Sequence, residues 1–467
     1  MAIARIISST SHRNARLARR RLFRGAIPAA LLCGIAFIES AHALPPGADG
    51  VRVTIPVSGI YDSAQGGVVD PDGNVVMAGS AGGGTSVLAR ILPNGALDSN
   101  FGNGGISIND LSVSLGDSLR AVVRMDDGRY VGCGTFFSPG GTATDFVVAR
   151  FNDDGSLDGT FDGVGYAVTS FLQSGPGGSL FDQCNAVAIQ SDGMIVSAGL
   201  TFEEGPSHVA LTRHTASGQI DMLFGGDGKV DINASQTANG NSEGRALAIQ
   251  PDGKLLVAGF AFGPGNSELM VMRLNTDGSP DNTFGVGGIT RTPVGTGEDI
   301  GNAMVLLPDG RIVVAGSTIV ADGRRDFALA RYTSAGVLDP TFGTGGLVTT
   351  AIGPGDDIAY ALTLMPWGRL VAAGSSRIST GGSGTDLALV SYNTDGTVDR
   401  YFGDLGKRMV SVSDFDDIVF SLANDIDGHH FWALGTAQPT TSQDFLAVEF
   451  GLPDTIFRHG FDSNTTP

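Results

Sequence analysis

The sequence predicts an all-β fold: a seven-bladed β-propeller of four-stranded blades, closed by the N-terminal strand. Three observations predict it. A unit of about sixty residues recurs seven times along the 467-residue chain. Each unit reads as four short β-runs bounded by Gly, Asn, Asp and Ser, with no helical period after the N-terminal segment. The array opens on a strand of the fourth type (residues 51–57) and ends on one of the third type (residues 445–450). The first strand can therefore complete the last blade and remove the edges an open array would expose. A β-solenoid is the runner-up, but its coils usually have shorter periods and simpler turns.

The repeat is marked by a D-G turn or its equivalent, with glycine at 73, 128, 193, 253, 310, 368 and 428. A second glycine follows six residues later in the first six units (79, 134, 199, 259, 316 and 374) and seven later in the last, at 435. The run between the two glycines reads as a strand, as in Lys254-Leu255-Leu256-Val257-Ala258. Another strand precedes the turn, such as Ala246-Leu247-Ala248-Ile249-Gln250. After a loop comes a third, such as Phe327-Ala328-Leu329-Ala330-Arg331-Tyr332. A polar turn follows, then an Asp three residues before a Phe (Asp98/Phe101 through Asp399/Phe402), then a glycine-flanked fourth strand.

Composition bounds the class. Seventy glycines placed at turns, with 42% hydrophobic and 16% charged residues, describe neither a disordered nor a collagen-like chain. Residues 1–43 read as a secretory signal. Arg13, Arg16, Arg19, Arg20, Arg21 and Arg24 give a basic start, residues 25–38 an apolar stretch, and Ala41-His42-Ala43 an A-x-A cleavage site. The apolar stretch is short for a membrane span, so no transmembrane anchor is expected after cleavage. Arg20-Arg21-Leu22-Phe23 loosely matches a twin-arginine export motif. Removal of the signal leaves 22 basic against 47 acidic residues, a charge of −25. Such a surface repels nucleic acid and anionic membrane. Cys133 and Cys184 remain, and either a disulfide or two separate buried thiols is open to them. The domains are then a signal peptide (1–43), a seven-repeat propeller (44–452) and a C-terminal tail (453–467).

Between residues 50 and 450 the chain resembles a known family. The pattern A-x-x-x-x-P-D-G-[KR]-[IL]-[VL]-V-A-G, then D-F-A-L-A-R-Y, then G-x-L-D-x-T-F-G-x-G-G is similar to the delta-60 repeat of secreted bacterial proteins. Repeat five carries it nearly in full over residues 303–346. The resemblance implies a propeller-like fold and no established activity. Departures are Trp367 in place of Asp, Asp162 in place of Gly, and the missing D-x-x-F-G after repeat seven. Ile456-Phe457-Arg458-His459-Gly460-Phe461-Asp462 resembles a short terminal tail of some secreted Gram-negative proteins. Together these imply a secreted, periplasmic or cell-surface protein of a Gram-negative bacterium.

Chemistry is sought where the units vary. The loop entering the strand before each D-G turn and the loop after the second glycine share one face, and the latter varies most. From that glycine to the end of the third strand the count runs from 11 to 17 residues. Variable loops on a rigid scaffold are where binding evolves. The same face carries a register of carboxylates eleven residues before each turn glycine: Asp62, Asp117, Asp182, Asp299, Asp357 and Asp417, with Ser242 in the fourth unit. If that strand is innermost, the register rings the channel mouth, where hard oxygen ligands would suit a metal such as Ca²⁺. Short Asx side chains that accept backbone N–H bonds explain a recurring Asp better, so a loop-fixing role leads. A second acidic register opens the third strand, at Asp145, Glu268, Asp326, Asp386 and Asp444. The N-x-D-G-x-x-D turns lack the full calcium-loop string, and a turn with left-handed glycine accounts for all of them.

No P-loop, C-x-x-C or H-E-x-x-H motif occurs in the mature chain, whose histidines are His208, His214, His429, His430 and His459. No catalytic residue is assigned, and catalysis is not expected. The function expected is a monomeric binding or scaffold module using the variable-loop face, toward a protein, glycan or cell-envelope partner. The alternative is a metal-dependent hydrolase or lyase with carboxylates at the channel mouth.

Overall fold

The turns between successive β-runs are short enough to force antiparallel hairpins, and each of the first six units forms one four-stranded antiparallel sheet in chain order. The computed structural model describes residues 50–82, 84–112, 116–138, 143–171, 181–202, 205–377, 384–425, 428, 430–439 and 442–451. The expected signal peptide and C-terminal tail lie outside the described residues. Seven sheets are present, and the one helical element among the described residues is a 3₁₀ turn at Pro366–Gly368.

The inner strands are Ser63–Val69, Ser118–Arg124, Gln183–Ile189, Ser242–Ile249, Asp299–Leu306, Asp357–Leu364 and Asp417–Asn424. Each packs against the inner strands of both neighbouring blades, so the seven close a ring around a central channel. The seventh blade is completed by Arg52–Ile55, which pairs antiparallel with Asp444–Gly451. Phe445 thus lies opposite Ile55, and the N-terminal strand closes the propeller.

The second glycine of each repeat has a geometric cause. Every inner strand carries a β-bulge, placed for example between Gly301 and Ala303. The carbonyl preceding the bulge tucks against the glycine of the second strand. A Cβ on Gly316 would sit 1.8 Å from the Ile300 oxygen, and one on Gly79 1.9 Å from that of Ser63. No side chain fits there, and the bulge re-aims the extra residue away from the sheet.

The core lies between blades. Val313, Ala315, Phe327 and Leu329 of blade five pack with Ala359, Leu370, Ala372 and Val390 of blade six, and the other junctions repeat this. Outside that core a second link recurs. The Arg273 guanidinium bonds Asp281 of its own blade at 2.7 Å, lies 4.8 Å from the Phe284 ring centroid and donates to the Ser334 carbonyl of the next blade. Arg90, Arg150, Arg213 and Arg331 do the same with Asp98/Phe101, Asp158/Phe161, Asp221/Phe224 and Asp339/Phe342. A disulfide between Cys133 of blade two and Cys184 of blade three, Cα atoms 5.9 Å apart, resolves the choice left open for the two cysteines.

Candidate functional site

The aspartate register stands where the inner strands begin, and all six carboxylates are buried. Each ties down the loop that enters its own blade. Asp62 accepts from Val57 N and Ser58 N at 2.7 and 2.8 Å, and Asp117 from Ser112 N at 2.6 Å. Asp182 accepts from Phe171 N at 2.9 Å, Asp299 from Val294 N at 2.7 Å and Gly295 N at 3.1 Å. Asp357 accepts from Ile352 N and Asp417 from Val412 N, both at 2.6 Å. The Ser242 hydroxyl takes the same place in blade four, accepting from Ala234 N at 3.1 Å. Several oxygens also bond the second strand, as Thr318 Oγ1 does to Asp299 at 2.5 Å.

The neighbours of these aspartates are carboxylates of the preceding blade. Burial pushes the Asp326 carboxyl up, and Asp357 beside it adds to the rise. Asp444 is raised by burial and by Asp62, Asp386 by burial and by Asp417, and Glu268 by burial with a smaller contribution from Asp299. The two acidic registers thus meet pairwise at blade junctions.

A different set of side chains reaches the channel. Three residues after each register position, at the bulge, stand Gln65, Arg120, Asn185, Arg245, Asn302, Tyr360 and Phe420. All seven are partly exposed, whereas the residue before each is buried. They engage one another around the ring. Arg245 bonds Glu243 on its own strand at 3.0 Å and Asn302 of blade five at 2.7 Å. Asn185 of blade three donates to Glu243 at 3.1 Å and to the Gly244 carbonyl at 2.9 Å. Asn302 donates to the Ala359 carbonyl of blade six at 2.7 Å, and the Tyr360 and Phe420 rings lie 5.2 Å apart. The charge of Arg245 in blade four acts to lower the pKa of both Arg120 of blade two and Tyr360 of blade six.

The channel wall has two halves. Counting the bulge position and the one two residues before it, blades one to four contribute Ser63, Gln65, Ser118, Arg120, Gln183, Asn185, Glu243 and Arg245. Blades five to seven contribute Ile300, Asn302, Ile358, Tyr360, Ile418 and Phe420. Of the two wall arginines, Arg120 is the less committed. Its Nε is buried without a hydrogen-bond partner, and it forms no ion pair among the described residues. Burial lowers its guanidinium pKa, with Glu243 and Arg245 acting in opposite directions.

Two hollows of about 470 and 590 Å³ lie on the opposite face, one between blades three and four and one among blades five, six and seven. Equivalent repeat elements line both, Arg213 and Thr276 in one and Arg331 and Thr394 in the other. On that face Asp425, His430 and Glu449 bring ligand-type atoms within 4.8 Å of one another. His429 and His459 lie outside the described residues. His208 bonds Asp231 at 2.8 Å, and His214 is buried in the core of blade three, where desolvation pushes its pKa down to about 4.

Five stretches match one family model, at residues 71–101, 126–161, 250–284, 307–342 and 368–402. The model is described as a domain of unknown function (DUF5122) beta-propeller, and these stretches are similar to it. No curated protein matches the sequence. Solved structures that the chain is similar to include three with TM-scores below 0.5. One is a catalytically inactive virginiamycin B lyase from Staphylococcus aureus with quinupristin, at 12% identity and a TM-score of 0.43, covering 86% of this chain and 100% of that one. Another is Sqt1 from Chaetomium thermophilum, at 13% identity and 0.42, covering 86% and 98%. The third is the RRP9 WD40 repeats, at 8% identity and 0.46, covering 86% and 97%.

Each matched DUF5122 stretch begins at the D-G turn and ends at the D-x-x-F phenylalanine, or within a few residues of these. It therefore spans the second and third strands, in four of the five stretches together with the Arg–Asp–Phe link, and leaves out the inner strand. The channel residues lie outside every matched DUF5122 stretch. Sequence reasoning singled out the recurring aspartates and passed over the channel. The signal was present: three positions after each register residue is a column in which five residue types occupy seven places.

Proposed function

We propose that the protein is an exported binding propeller whose ligand enters the central channel from the variable-loop face. One contrast carries this reading. The aspartates and the Arg–Asp–Phe links recur and bond within the scaffold, whereas the partly exposed bulge residues differ from blade to blade. A site for a single asymmetric ligand needs groups that differ around the axis, and repetition cannot supply them. The inner strands begin at the variable-loop face, so the bulges lie in the part of the channel nearest those loops.

The Cys133–Cys184 disulfide suits an oxidising compartment. The basic and apolar N-terminal segment and the delta-60 resemblance support export across a Gram-negative inner membrane. The aspartate register is read as loop fastening, since its oxygens already serve backbone N–H groups, and no calcium-dependent step is assigned to it.

A fragment screen by ligand-observed NMR tests the function. Wild type is compared with a variant carrying Asn185→Ala and Tyr360→Ala, its fold checked by circular dichroism. The reading expects a group of fragments whose signals disappear in the variant. Hits that all persist, with protection from hydrogen exchange on the D-G-turn face, would overturn it.

A further inference from the structure

The two halves of the channel wall differ in what they can hold, and this specifies a ligand class; the argument rests on the channel-binding reading above. The polar half contains two arginines in different states. Arg245 is committed: Nε and Nη2 bond Glu243 at 3.0 and 3.2 Å, and Nη1 bonds Asn302 at 2.7 Å. Its guanidinium carbon also lies 5.3 Å from the Phe260 ring centroid. Arg120 has none of this, with its Nε buried and unbonded and no carboxylate in ion-pair range among the described residues. A guanidinium taken partly out of water without a counter-ion is costly, and an anion presenting two oxygens repays it through a fork of parallel N–H bonds.

Glu243 is the carboxylate nearest in function, but Arg245 and Asn185 already hold it. The remaining wall is apolar. Ile358 and Ile418 share a register position on adjacent blades, and the Tyr360 and Phe420 rings stack at an angle beside them. Around the ring blade one separates blade two from blade seven, so Arg120 and the aromatic pair belong to non-adjacent blades of the wall.

We infer that the channel takes a small organic carboxylate with an aromatic or branched apolar body, its carboxylate on the Arg120 guanidinium and its body against Tyr360 and Phe420. The binding is non-covalent. The overall negative charge of the protein works against anions at long range, but salt screens that field over about 10 Å, while the buried Arg120 acts at contact. The site therefore discriminates by the pairing of charge and apolar body, and selects neither inorganic anions nor neutral aromatics.

Titration calorimetry at constant ionic strength tests this with three probes: phenylacetate, its neutral analogue phenylacetamide, and acetate. Wild type, Arg120→Gln and Phe420→Ala are compared, each checked by circular dichroism, and Arg120→Lys serves as the charge-retaining variant. Phenylacetate is expected to bind with a Kd on the order of 1 mM, as its size allows. Arg120→Gln and Phe420→Ala should each weaken it by about tenfold, and Arg120→Lys should weaken it less. Acetate and phenylacetamide should each bind about tenfold more weakly than phenylacetate. If phenylacetamide binds as well as phenylacetate and only Phe420→Ala weakens both, the carboxylate assignment is overturned while channel binding stands. If no probe binds, or binding is indifferent to both substitutions, the carboxylate assignment falls; the fragment screen then decides separately whether the channel binds anything.

Discussion

The ring of Phe284 lies directly under the turn glycine Gly336 of the next blade, so close that a Cβ there would fall 2.7 Å from the phenyl Cζ. Phe101 and Gly155, Phe161 and Gly218, Phe224 and Gly278, and Phe342 and Gly396 repeat the contact at successive junctions. One blade's D-x-x-F phenylalanine and the glycine of the turn after the following blade's third strand are therefore two halves of one device. Gly336 also has φ near +80°, which side chains other than glycine adopt at a cost.

Gly336→Ala meets both penalties and should destabilise the protein by about 3 kcal/mol. Urea unfolding followed by circular dichroism checks this. Gly345 provides the control. It has φ of +66° and nothing within 4 Å of an added Cβ, so Ala there should cost only about 1 kcal/mol of backbone strain.

The aspartate register should behave as a set of loop fasteners. Asp299→Ala removes the acceptor for Val294 N, Gly295 N and Thr318 Oγ1 and should cost about 3 kcal/mol. Added Ca²⁺ should leave the wild-type Tm unchanged. A calcium-dependent rise in Tm that Asp299→Ala abolishes would instead assign metal to the register.

The paired carboxylates set an unusual pH dependence. Asp326 is raised by burial and by Asp357, with Asp322 adding to the rise and Arg324 and Lys407 opposing it. Its folded pKa exceeds its unfolded value, so between the two the folded state binds more protons. Stability from this group is present at low pH and falls as pH rises through the folded pKa. Asp326→Asn should thus stabilise the protein at pH 7 by on the order of 1 kcal/mol and change little at pH 4. Equal destabilisation at both pH values would contradict the pairing.

Asp339 works in the opposite sense. Burial disfavours its charged form, but Thr341, Arg311 and Arg331 outweigh this and hold the carboxyl well below the usual range. Its contribution is present above about pH 4 and is lost as pH falls below that. Asp339→Asn should therefore destabilise at pH 7 and lose most of its effect in strong acid, as acid titration of the unfolding midpoint would show.

The disulfide joins the second strand of blade two to the inner strand of blade three across 51 residues of chain. Loop-closure entropy for that span is worth about 4 kcal/mol, less whatever order the reduced unfolded chain retains. Thermal unfolding with and without reductant, beside Cys133→Ser with Cys184→Ser, measures it. The expected outcome is a lower Tm in both cases with the propeller still formed, because six other junctions hold without a disulfide.

Much of this architecture was legible in the chain because a repeat compares itself with itself. The D-G turns, the second glycine, the D-x-x-F element and the displaced fourth strand at the N-terminus each follow from local rules of turn and strand chemistry. So they determined the blade count, the strand order and the closure. Residues that differ between units, such as Arg120 and Phe420, carry no local pattern and read as noise in such a comparison. What gives them meaning is the bulge opposite Gly134 or Gly435, which turns them out of the sheet, and the ring, which brings blades two, four, six and seven around one space. The tertiary structure alone decided that Arg245 is paired and Arg120 is not, because Glu243, Asn185 and Asn302 come from three successive inner strands. It also decided that Cys133 and Cys184 meet. Contacts between residues some sixty positions apart depend on blade-to-blade geometry, which local residue preferences do not encode.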